Sequence, residues 1–177
     1  MSVSVIDRLT RTGLTPTEYF LAAALASAGM LGAALIFQYV GGLHPCEMCI
    51  YQRVPYGAVI GLGVAGALVS RGGAARSSLV WVLAGTCALA FFINAGLAGF
   101  HVGIEQGWWA GSDDCVGGDI DTSSIEAMRE AILNAPAVRC DEVAWSLFGI
   151  SMAGWNGLTA LGLGAASLLT FRQWARQ

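Results

Sequence analysis

Four long apolar stretches, two short polar breaks and one extended hydrophilic insert make up the pattern of this chain. Uncharged, mostly apolar residues run from Tyr19 to Val40, from Val54 to Ser70, from Leu79 to Phe100 and within Leu147 to Phe171. The first covers 22 residues, enough for a helix to cross a hydrocarbon layer of about 30 Å. Thr15-Pro16-Thr17-Glu18 is a strong start for it: Thr15 caps, Pro16 suits the first helical position, and Glu18 falls three residues after the cap. Gly41-Gly42 ends it. The apolar run continues well past the small residues Ala24 and Ala26, so it reads as a retained span and not a cleaved signal.

The second stretch has 17 residues and reaches spanning length if its helix begins near Met48. Pro55 then lies inside a helix, where it removes the bond to the Tyr51 carbonyl and kinks the axis. Gly57, Gly61 and Ala65 recur every fourth residue and predict a face for close helix packing. The predicted spans are about 18–40, 48–70, 79–100 and 147–171, with a polar loop at 101–146. Residues 1–177 then form one integral membrane domain, an all-α bundle of four transmembrane helices. Within the loop, Ser123-Ser124-Ile125-Glu126 is a capping box that opens a short helix which Pro136 must follow. Ile125, Met128 and Ile132 line one side of it, so it is predicted to lie along the membrane surface as an amphipathic interfacial helix. Trp108, Trp109 and Trp145 suit an aromatic belt at the same level.

Composition sharpens this picture. Of 177 residues 55% are apolar and 12% charged, against about 25% charged in soluble domains. There is no lysine, and the nine arginines form no basic patch, which excludes nucleic acid as a partner. Arg8 and Arg11, Arg71 and Arg76, and Arg172 and Arg176 occupy the N-terminal tail, the middle turn and the C-terminus. With four spans these segments share one side, which the positive-inside rule makes the cytoplasm. The opposite side carries the insert, which alone holds nine of the twelve acidic residues.

Four of the five cysteines, Cys46, Cys49, Cys115 and Cys140, fall outside the apolar runs and on that opposite side. Two pairs there, with the leftover Cys87 inside an apolar run, point to an oxidising compartment. Cys46 and Cys49 can close a small, easily reduced ring. A helix starting beside them would favour a thiolate through its positive end. Arg53, one turn after Cys49, brings a cation to the same face. Static disulfides and a four-cysteine zinc site are the alternatives, and the second pair lacks the knuckle spacing that zinc modules use. Cys115 and Cys140, with 24 residues between them, could equally form a stabilising bridge. His101 and Glu105 can anchor the end of the third span, His101 also being a candidate proton relay. Gln38 and Asn94 read as interhelical hydrogen-bond partners, and Cys87 as a small core hydrophobe. No metal site is expected.

Pro45-Cys46-x-x-Cys49-Ile50-Tyr51-Gln52-Arg53, Phe37-Gln38, His101-x-Gly103-x-Glu105-Gln106-Gly107-x-Trp109 and Trp145-Ser146-Leu147-Phe148-Gly149 through Trp155 together resemble the DsbB family of bacterial disulfide-bond formation proteins. The resemblance covers about residues 19 to 171. It implies an inner-membrane thiol:quinone oxidoreductase with both cysteine pairs periplasmic and both termini cytoplasmic. Its partner would be a periplasmic DsbA-like thiol oxidase. Cys46, Cys49, Cys115 and Cys140 would be catalytic, and Cys49, Arg53 and His101 would contact ubiquinone or menaquinone. The resemblance further implies that the partner attacks Cys115, that the released Cys140 can attack Cys46, and that electrons leave through Cys49 beside Arg53. Glu47 sets a negative charge inside the thiol motif. Two other readings stand beside this one: a quinone-linked thiol reductase of the vitamin K epoxide reductase type, and a non-enzymatic four-helix scaffold with structural disulfides.

Overall fold

Helix α1, Pro16–Tyr39, begins at the box its sequence encodes. Thr15 Oγ1 accepts the Glu18 N–H at 3.3 Å, and the Glu18 carboxylate accepts the Thr15 N–H at 2.9 Å. The chain leaves the helix through Gly42, whose φ of +69° is the left-handed conformation that glycine adopts without strain. The computed structural model describes residues 13–74, 77–116, 124–134 and 138–176. The expectations for Arg8, Arg11, Arg76, Ser123 of the insert's capping box and Pro136 lie outside the described residues.

The second span is two helices, α2 (Glu47–Tyr51) and α3 (Arg53–Val69), joined at Gln52. Pro55 has no N–H to give the Tyr51 carbonyl, which accounts for a break at this point. A π-helical turn, Ser70–Ala74, follows. Helix α4, Ser78–Glu105, is capped by Ser77 and runs five residues beyond the predicted end at Phe100, so His101 and Glu105 stand on its last turn. Two short helices, α5 (Asp113–Val116) and α6 (Ile125–Asn134), belong to the insert. A small hairpin then pairs β1 (Ser146–Leu147) with β2 (Ile150–Ser151), Ser146 opposite Ser151 and Leu147 opposite Ile150. Phe148 and Gly149 turn it with positive φ at both positions, as a two-residue hairpin loop requires. Helix α7, Met152–Trp174, starts at Ser151, whose hydroxyl accepts the Gly154 N–H at 3.1 Å. The last helix therefore begins five residues later than predicted, because the hairpin takes Leu147 to Ser151.

Among the described residues, three helical stretches are long and apolar enough to cross a membrane: α1, the α2–α3 stretch over Glu47–Gly72, and α4. Helix α7 has 23 residues, about 35 Å at the usual rise, but Asn156, Thr159 and four glycines dilute its apolar character. The helices pack as two pairs, α1 against α3 and α4 against α7, with α3 joined to α4, while α1 and α7 meet chiefly where Tyr19 packs on Phe171 and Trp174. Tyr19, Phe20, Val59, Val80, Ala84, Cys87 and Phe91 fill the core.

The predicted packing face of α3 is corrected. Gly57, Gly61 and Ala65 point away from the bundle, and a Cβ at either glycine would meet nothing within 4 Å. The contact is made one stripe round the helix. A Cβ on Gly63 would come to 2.8 Å from both the Ala24 Cβ and the Phe20 carbonyl, and one on Gly66 would run into the Phe20 ring. The inner stripe also carries Tyr56 and Val59, whose buried bulk decides which face turns inward.

The two ends of the bundle differ in chemistry. At one end the Trp174 indole N–H donates to the Leu14 carbonyl at 2.7 Å, and Tyr19 and Trp81 meet the Trp174 ring edge to face with Phe171 tilted beside them. Arg71, Arg172 and Arg176 end their helices there. The other end is a cluster of Cys46, Met48, Ile104, Cys115 and Cys140.

Candidate active site

Cys46 caps α2 with its sulfur, which accepts the Cys49 N–H at 3.3 Å. The two sulfurs of the motif stand 2.7 Å apart and unbonded, with the Cys46 thiol donating to Cys49. That shared hydrogen bond, with burial second, pushes the Cys46 thiol far above its ordinary pKa, so Cys46 keeps the proton of the pair. Cys115 and Cys140 are joined as a disulfide, and the Cys140 N–H donates to the Cys115 carbonyl at 2.8 Å. Both are fully buried. The Cys46 sulfur, a ring nitrogen of His101 and the Cys140 sulfur all lie within 4.8 Å of one another. Such a trio could ligate a metal, but the Cys140 sulfur is bonded to Cys115 and offers no thiolate.

Arg53 and Cys49 share one face in spite of the break at Gln52, since both line the same cavity. The Arg53 guanidinium donates to Gln38 Oε1 at 2.6 Å, so Gln38 is the interhelical partner its sequence position suggested. Asn94 is fully buried on α4 and its amide lies beside the Tyr56 hydroxyl of α3, with no hydrogen bond of ordinary length among the described residues. Glu105 anchors the end of α4 by accepting the Ser151 hydroxyl at the start of α7. His101 sits between the sulfurs and the bundle interior, Nε2 3.6 Å from Cys46 Sγ and Nδ1 2.9 Å from Gln52 Nε2. Gln52 Oε1 in turn accepts Asn156 Nδ2 at 2.5 Å, and the Tyr56 hydroxyl donates to Asn156 Oδ1 at 2.7 Å. Sequence reasoning missed Tyr56 and Asn156. The one available signal was a strong polar group at Asn156 inside an apolar stretch, where polar side chains tend to bond across helices.

A cavity of about 350 Å³ fills the slot between α1 and α7. Met30, Leu31 and Phe37 form one wall and Met152, Trp155 and Asn156 the other, with Cys49, Gln52, Arg53, Tyr56 and His101 lining it from α2, α3 and α4. The walls are apolar, and the polar groups gather beside one sulfur. A flat ring bearing carbonyl oxygens fits such a site: apolar surface for its faces, amide and guanidinium donors for its oxygens. A smaller space of about 60 Å³ separates Cys46 and Cys49 from Val138, Arg139 and Glu142 of the insert.

The remaining predicted residues stand apart from the sulfurs. Cys87 is fully buried in the core. Trp109 stacks on Phe100 over Gly103 and donates its indole N–H to the Phe100 carbonyl at 3.0 Å. Trp145 packs on Phe37 and lines the cavity, while Trp108 is largely exposed. Helix α6 forms in the insert with Ile125 and Leu133 turned away from the bundle, 81% and 71% exposed. Arg139 pairs with Asp141 at 2.7 Å and holds that carboxyl below the usual range.

Comparison with known proteins bears on this arrangement. The family model described as disulfide bond formation protein DsbB matches residues 16–170. The disulfide bond formation protein B of Methylococcus capsulatus is 34% identical over 158 residues, which is 88% of this chain and 92% of that protein. The protein of that name from Stutzerimonas stutzeri is 32% identical over 165 residues, covering 87% and 93%. Disulfide bond formation protein B 2 of Pseudomonas syringae pv. syringae is 30% identical over 151 residues, 81% of each chain.

Proposed function

This chain belongs to the DsbB family of disulfide bond formation proteins, and on that premise we propose that it is a thiol:quinone oxidoreductase that reoxidises a periplasmic DsbA-like dithiol partner. Family and helices together make it an integral membrane protein of disulfide bond formation. In the reading offered here α7 is the fourth span. The arginine-bearing end is cytoplasmic, the sulfur end periplasmic, and α6 rests on the membrane surface.

The observation that carries the reading is the closeness of the Cys46 and Cys140 sulfurs, within 4.8 Å although 93 residues follow one before the other is reached. A thiolate of the partner attacks Cys115, forms a mixed disulfide and releases Cys140 as a thiolate. With the motif oxidised, Cys140 attacks Cys46, so the Cys140–Cys46 bond forms and the Cys46–Cys49 bond breaks. The electron pair of the broken bond leaves on Cys49, which lines the apolar cavity. Alternatively the partner's second thiol attacks the mixed disulfide, and both electrons stay on Cys140 and Cys115. Arg53 balances the charge on Cys49, Gln38 holds Arg53 in place, and the apolar walls keep water from the sulfur. Ubiquinone or menaquinone, when bound, would supply the two-electron, two-proton acceptor, with Arg53 as the donor to it and His101 lining the polar end of the slot.

The test is the purified protein in lipid with reduced partner and a quinone. Quinone-dependent loss of partner thiols is expected in the wild type, and none in Cys49→Ala. Thiol loss that ignores quinone, or full turnover by Cys49→Ala, would overturn the reading.

A further inference from the structure

The polar groups beneath Cys46 form a chain in which every hydrogen bond runs in one direction. The Cys46 and Cys140 sulfurs crowd one edge of the His101 ring, all three ligand atoms lying within 4.8 Å of one another. Nδ1 of His101 faces Gln52, and Nε2 faces the sulfurs. Gln52 presents its Nε2, which can only donate, so Nδ1 holds the lone pair of the ring and the nitrogen on the sulfur side carries the proton.

That assignment orients everything behind it. A lone pair on Nδ1 accepts from Gln52 Nε2, which turns Gln52 Oε1 toward Asn156. Asn156 gives Nδ2 to that oxygen, and its own Oδ1 accepts the Tyr56 hydroxyl. Ahead of the ring, Nε2–H points at Cys46, and Cys46 donates to Cys49. The sequence Tyr56, Asn156, Gln52, His101, Cys46, Cys49 crosses from α3 to α7, back to the α2–α3 junction, then to α4 and the thiol pair. None of its donors bears a formal charge, so none carries the desolvation cost of a buried ion. Bonds aligned in this way polarise one another.

We propose that Gln52 and Asn156 are positioning residues of the thiol pair, acting through the fixed tautomer of His101 to aim a line of hydrogen-bond donors at the Cys49 sulfur. The proposal rests on the reading of Cys49 as the electron-delivering thiol. Arg53 and Glu105 are the charged groups whose fields reach Cys49, and neither belongs to the chain, so both act alike in the variants below.

The tautomer is measured directly by ¹⁵N NMR of histidine-labelled wild type, with the second histidine, His44, assigned by substitution. The expected spectrum shows neutral His101 protonated at Nε2. Iodoacetamide labelling of the reduced protein at pH 7, read at Cys49 by mass spectrometry, follows the effect on the sulfur. Gln52→Met should slow labelling about tenfold, as the loss of a buried hydrogen bond does. Asn156→Leu should slow it less, and the double variant should match Gln52→Met alone, because Asn156 acts only through Gln52. Protonation at Nδ1 in the wild type, unchanged labelling in Gln52→Met, or additive losses would each overturn the proposal. Wild-type turnover with quinone, assayed alongside, separates the two claims: its absence removes the proposed function, whereas normal turnover with the wrong tautomer removes only this inference.

Discussion

At the residue scale the decisive group is Arg53. Its guanidinium donates to a neutral amide oxygen, that of Gln38, and the ion pairs among the described residues are those of Arg139 with Asp141 and Glu142. A guanidinium satisfied by an amide keeps its whole charge for an anion nearby, and Cys49 is the thiol that shares its cavity. Replacing Arg53 with Met should therefore lower quinone-dependent kcat/KM by about ten- to a hundredfold, the worth of a charge-assisted hydrogen bond of about 1.5–3 kcal/mol. Gln38→Leu leaves the charge but frees its position, so its effect should be smaller and fall mainly on KM. Steady-state kinetics over a range of quinone concentrations separates the two. Equal losses in both variants would mean that Arg53 matters for packing only.

At the scale of elements, the two small-residue stripes of α3 make contrasting predictions. Gly63→Val pushes new carbon against Ala24 and the Phe20 main chain, and should cost about 1–3 kcal/mol as overpacked cores do. Gly61→Val meets open space and should change stability little. Unfolding of both variants in mixed detergent, followed by helicity, tests the pair. Sequence alone could not choose between these stripes. In a soluble helix the outer face is polar and announces itself, but a helix in lipid is apolar on both sides, so periodicity carries no contrast between inside and outside. Where charges or caps break the pattern, reading was dependable: Thr15, Ser77 and Ser151 cap the long helices, and only the first was singled out in advance. The hairpin at 146–151 was hidden because its residues are as apolar as the helix that follows. Of the site, the thiol motif and Arg53 were legible because chemistry and helical spacing are both local. Tyr56 and Asn156 were not, since each owes its place to a residue on another helix, 100 and 104 positions away in the two bonds concerned.

For the whole molecule, the arrangement of pairs matters more than any one helix. Helices α1 with α3 and α4 with α7 form two slabs joined along α3 and α4, and the sulfur cluster roofs one end of the joint. Because α1 and α7 close against each other at the Tyr19 end but leave the cavity beside Cys49 between them, that slot gives Cys49 an approach from the flank of the bundle and not only from its end. An enzyme entered from its flank samples its acceptor in two dimensions. Its saturation should then follow the mole fraction of quinone in the bilayer, so that adding empty vesicles at constant total quinone slows turnover while adding buffer does not.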